Sequence, residues 1–76
     1  EIKGPYQNEE KTKATLILSN YFCLSRQKDL GTDLKNIVIN RFIEEDIDLE
    51  LINSYEVIKK ADKISYLLDN SCNVEM

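Results

Sequence analysis

A compact all-α bundle of three to four short helices is the fold this sequence predicts, and three observations predict it. Apolar residues recur at spacings of three and four through most of the chain, the period of one helix face, and strand-like alternation is brief wherever it occurs. Residues that start helices stand ahead of those stretches, at Asn8 and at Thr32-Asp33, with Gly31 before the second. The 76 residues are 42% hydrophobic and 32% charged, an ordinary globular balance that is too apolar for disorder.

Residues 1–8, "EIKGPYQN", are predicted to be an extended lead-in, because Gly4-Pro5 disfavours helix and no apolar period is present. A helix is expected over 9–23. Ala14, Ile17, Leu18 and Tyr21 make one stripe, Glu9 and Glu10 suit the positive end of the helix dipole, and Asn8 is placed as its N-cap. The rival reading is a short strand at "TLILS". "LSRQKDLGTD" (24–33) breaks the pattern: Ser25 can start a short helical turn that Gly31 ends, and Thr32 or Asp33 caps the next element. Leu34, Ile37, Val38 and Phe42 then predict a helix over 33–45, although the β-branched "IVI" alone would suit a strand.

The stretch from Glu44 to Asn70 carries two stripes. On an ideal helix Ile47, Leu51, Tyr55 and Ile58 share one face, and Val57, Ala61, Ile64 and Leu68 share another, rotated by about 100°. Asp62 falls within the first stripe and Glu50 within the second. One straight helix would press a carboxylate toward a core, which is costly. A break between Lys59 and Asp62 is therefore expected, giving helices at 47–60 and 61–69; the alternative is one long helix with two partners. A single helical domain over 9–69 and a loose tail over 70–76 complete the plan. The expected core is Ala14, Ile17, Leu18, Tyr21, Leu34, Ile37, Val38, Phe42, Leu51, Ile58, Ala61, Ile64 and Leu68.

Charge narrows the partners. The net charge is −4: residues 1–30 hold five bases against four acids, and residues 31–76 hold five bases against ten acids. An acidic chain repels phosphate backbones, and Lys59, Lys60 and Lys63 make only a thin basic footprint, so nucleic acid is not the expected partner. No apolar run approaches the roughly 18 residues that cross a bilayer, and no signal-peptide pattern is present, so no membrane partner is expected. The first residue is Glu1 rather than Met, and the chain is expected to be an excised domain or a processed product.

Chemistry-bearing constellations are sparse. The acids Glu44, Glu45, Asp46, Asp48 and Glu50 resemble a calcium loop only in part: counted from Asp46, the turn position that requires Gly is Leu51, and the position that requires Glu is Val57. They are better explained as helix-end acids, with Asp46 or Asp48 capping the next helix. There is no His to serve a Ser or Cys nucleophile, and two Gly residues exclude phosphate-loop and dinucleotide fingerprints. No metal or other cofactor is expected, and the chain is expected not to be an enzyme. Cys23 and Cys72 could close one disulfide over a long loop if the chain is secreted; the preferred reading leaves them unpaired, Cys23 as a small core residue and Cys72 in the tail, which suits a reducing, intracellular compartment.

The expected function is a protein–protein interaction module, one part of a larger protein or assembly. Leu49, Tyr66 and Leu67 lie off the core stripes and are the expected apolar anchors. Glu44, Glu45, Asp46 and Asp48 are the expected acidic rim, which would favour a basic protein partner. Two other readings stand beside it. One is a small helix-turn-helix-like DNA-binding or regulatory domain, with Lys63 and Ser65 on the recognition helix. The other is a homodimerisation domain.

Overall fold

The computed structural model describes residues 8–69 with Ser71 and Cys72. The extended lead-in expected before Asn8, and most of the expected tail, lie outside those residues. The architecture is all-α, as the spacing predicts. Helix α1 spans Asn8–Gln27, α2 spans Asp33–Glu44, a short 3₁₀ helix spans Leu49–Asn53, and α3 spans Tyr55–Leu68. The segment "TLILS" lies inside α1, and no strand forms among the described residues. Lys11 reaches Glu56 near the starts of α1 and α3, and Arg26 reaches Ser65 near their ends, so the two helices run parallel. The chain therefore goes up, down and up again. α1 is the central helix: α2 and α3 both pack on it, and among the described residues they do not pack on one another.

Helix α1 runs four residues beyond its expected end. Ser25, expected to open a separate turn, donates its hydroxyl to the Phe22 carbonyl, and the Lys28 N–H bonds the Leu24 carbonyl to close the last turn. A tight turn comes next. The Gly31 N–H donates to Asp29 Oδ1, the Asp33 N–H donates to the Leu30 carbonyl, and Gly31 holds φ +58°. A β-carbon there would meet nothing within 4 Å, so any penalty is backbone strain alone. Gly31→Ala is expected to cost about 1 kcal/mol, read as a lower urea midpoint at unchanged slope. Thr32 does stand at the N-cap of α2, but its side chain makes no capping bond.

The end of α2 is a Schellman motif. The Ile47 N–H bonds the Phe42 carbonyl, the Asp46 N–H bonds the Ile43 carbonyl, and Asp46 takes the left-handed position at φ +57°. Ile47 and Phe42, the apolar pair that accompanies such a cap, are both buried in the core. An L side chain is strained at that position, so Asp46→Gly is expected to stabilise the chain by about 0.5–1 kcal/mol, measured by the same unfolding curve.

The break in the Glu44–Asn70 stretch falls at Ser54, not between Lys59 and Asp62. No helix spans 47–60: its first part is the 3₁₀ helix and its second part belongs to α3. Two caps impose this. Asp48 accepts from the Glu50 N–H at 2.9 Å, and Ser54, with extended backbone, accepts from the Val57 N–H at 3.4 Å. The two carboxylates that conflicted on one straight helix then both face solvent.

The core joins Ala14, Leu18, Tyr21, Val38, Phe42, Ile47, Leu51, Val57 and Ala61, with Ile17, Leu34, Ile37 and Ile58 partly buried against it. Ile64 and Leu68, expected inside, are only half-buried: among the described residues α3 packs on α1 and on the 3₁₀ helix, and α2 does not reach it. Three hydroxyl residues are buried as well: Thr15, Ser19 and Ser65. Each returns its hydroxyl to a carbonyl three or four residues back, at 2.7, 2.8 and 2.6 Å respectively. That satisfies the polar group locally and leaves a small side chain for helix contact.

Cys23 and Cys72 are bonded as a disulfide, with Cα atoms 5.8 Å apart, which corrects the expectation of unpaired thiols. The cause is the path of the chain after α3. Asp69 turns at φ +54°, the Ser71 N–H bonds the Leu68 carbonyl, and the segment folds back across the end of α1. Gln27 Nε2 donates to the Asp69 carbonyl at 3.2 Å. Cys23 Sγ lies 2.9 Å from the same oxygen, a close contact rather than a hydrogen bond, since a disulfide sulfur has no proton to donate.

Candidate functional site

The residues expected to form one docking surface are split between the two ends of the bundle. Glu44, Glu45, Asp46, Asp48 and Leu49 lie at the end of α2 and the start of the 3₁₀ helix. Asp48 is tied to the beginning of α1, where its N–H donates to the Glu10 carboxylate at 2.9 Å. Tyr66 lies at the far end, stacked on Arg26. Sixteen residues of α1 separate Glu10 from Arg26, about 24 Å of helix. Tyr66 and Leu67 also part company: as neighbours on a helix they face directions about 100° apart.

At the acidic end the carboxylates serve the backbone. Glu10 and Asp48 accept main-chain N–H bonds, and Glu45 pairs with Arg41 at 3.3 Å across one helical turn. Among the described residues, no three His, Cys, Asp or Glu side chains are grouped so as to hold a metal ion. Leu49 is 44% exposed beside them.

At the other surface a pattern emerges that the expected site did not contain. Tyr55, Lys59, Asp62 and Tyr66 succeed one another at +4, +3 and +4 and form a single outward stripe of α3. Tyr55 is 75% exposed and Tyr66 66% exposed, about 16 Å apart along the helix. A cation lies over each ring. The Arg26 guanidinium is 4.2 Å from the Tyr66 centroid, and Lys59 Nζ is 5.7 Å from the Tyr55 centroid. Arg26 is itself held, because it donates to the buried Ser65 hydroxyl at 2.8 Å. Beside the stripe, a shallow hollow is lined by Phe22, Ser25 and Arg26 of α1 and by Tyr55, Ile58, Lys59 and Asp62 of α3.

Exposed tyrosines with an arginine, around half-buried Phe22 and Ile58, match the composition of the centres of protein interfaces. The +4, +3, +4 spacing was open to view in the sequence. Arg26 was not, since its contact with Tyr66 spans two helices. α2 and α3 both pack on α1, and among the described residues not on each other. No described helix is long and apolar enough to cross a membrane. Comparison of the chain with models of protein families, with curated proteins and with solved structures finds no match.

Proposed function

We propose that this chain is a non-catalytic protein–protein docking module whose partner seats on the outward face of α3. The observation that carries this reading is the Arg26–Tyr66 stack. A large aromatic ring is left in water, and its orientation is held by a guanidinium that is anchored on Ser65. A side chain ordered before binding loses less entropy when a partner covers it. Among the described residues no helix covers this face, which leaves it open to a partner. The acidic residues Glu44 to Asp48, proposed from the sequence as a rim for the same surface, stand apart from it and belong to a second patch.

The disulfide supports a setting for this function. A bridge that joins a buried cysteine to the returning chain end is suited to an oxidising compartment, in place of the reducing one expected for free thiols.

The test is site-specific photocrosslinking in the native source, with a photoreactive phenylalanine analogue placed at Tyr55, at Tyr66, or at exposed Lys35 of α2 as control. The reading expects discrete adducts at Tyr55 and Tyr66 that are missing at Lys35. Adducts at neither tyrosine, or the same adducts at all three positions, would overturn it.

A further inference from the structure

We infer that the α3 face receives the acidic end of a second copy of this chain, an inference that rests on the docking reading above and names its occupant. Charge is segregated along the bundle. Beside the Tyr55–Tyr66 stripe Lys59, Lys63 and Arg26 stand against Asp62, although the whole chain is −4, while Lys60 and Glu56 line a separate hollow on the other side of α3. The opposite sign is concentrated from Glu44 to Glu50, where five acids in seven residues mark the end of α2 and the start of the 3₁₀ helix.

The acidic end also offers apolar contact. Ile43, 61% exposed, and Leu49 lie among those acids. The α3 face offers the reciprocal set: exposed tyrosine rings, the half-buried Phe22 and Ile58, and lysines around them. An apolar centre with complementary charge at its edge is the general anatomy of a protein interface. The pairing joins two different patches. Apposing α3 to α3 would set Lys59 and Lys63 of one copy near those of the other, and apposing the acidic ends would do the same with carboxylates. Like charges brought together disfavour both arrangements, so the contact runs from acidic end to α3 face.

Sedimentation velocity over a concentration series tests this at low ionic strength and again with added salt. Wild-type chain is expected to associate as concentration rises, and added salt is expected to weaken association at least about tenfold by screening. Two variants sharpen the result. Lys59→Glu with Lys63→Glu reverses the α3 face. Glu44→Lys with Glu45→Lys cuts the acidic end from five acids to three acids against two lysines, removing most of its negative charge, and cations there suit the end of a helix, so α2 should persist. All four positions are exposed, and a far-ultraviolet spectrum checks each fold.

Each variant alone is expected to be monomeric, and an equimolar mixture is expected to recover a complex of one of each, because the unaltered face of one meets the unaltered end of the other. A monomeric wild type at every concentration, or a mixture that stays monomeric, would overturn the second-copy assignment. The docking reading would then stand or fall separately on the crosslinks. Tyr66 adducts of twice the chain mass favour a second copy, and adducts of any other mass favour a different partner and count against this inference.

Discussion

Phe42→Ala is expected to destabilise the chain by about 3–5 kcal/mol. Among the described residues Phe42 is the largest fully buried side chain, at 0% exposure, and stands where α2 meets the common core. Its removal leaves a cavity in a core to which all three helices and the 3₁₀ helix contribute, and such a cavity cannot collapse without moving whole elements. Its carbonyl also accepts the Ile47 N–H of the Schellman motif, so disorder at Phe42 loosens the exit from α2. A domain of this size has a total stability of roughly 4–11 kcal/mol by the usual per-residue range, so one substitution removes a large share. Urea denaturation followed by circular dichroism checks it. A loss under about 1 kcal/mol would mean that Phe42 is not at the centre of the packing.

Opening the disulfide is expected to cost nearly as much. Cys23 and Cys72 are 49 residues apart, and closing a loop of that length removes about 4 kcal/mol of chain entropy from the unfolded state. Cys72→Ala should lower the denaturation midpoint by about the amount that a reductant lowers it in the wild type, and reductant should then change the variant no further. Cys23→Ala should cost somewhat more, because that side chain is buried, with 1% exposure, and its loss also leaves a void. If reduced and oxidised wild type unfold at the same urea concentration, the bridge contributes nothing to stability and its place in the fold is wrong.

Reading helix from spacing succeeded where the apolar period was unbroken. Ala14, Leu18 and Tyr21 in α1, and Val38 and Phe42 in α2, are buried as their periods require. It failed where caps outweighed the period. Leu51, Tyr55 and Ile58 continue one stripe on an ideal helix, yet Ser54 ends one element and begins another between them. A hydroxyl that bonds a free N–H decides a boundary locally, and the period has no term for it. The buried Thr15 and Ser19 were also illegible. Their polarity reads as surface, but each hydroxyl is satisfied within α1, so their small size governs where they go.

The candidate site divides in the same way. Tyr66 was singled out because it lay off the core stripe, and that inference depended only on helix geometry. The acids and Leu49 proposed beside it lie at the other end of α1, Arg26 is the cation over its ring, and Lys59 lies over Tyr55 further along the same stripe.

By itself the sequence determined the class of fold, the helical faces that must be hidden, and the lack of His and glycine-rich motifs for common catalytic chemistry. Those depend on residue type and spacing, which act over one or two helical turns. Tertiary structure alone decided that α1 stands between α2 and α3, that Cys23 meets Cys72, and that Arg26 lies over Tyr66. Each of those joins residues that are 39 or more apart or on different helices, and such pairings depend on how the helices dock rather than on any periodicity within them.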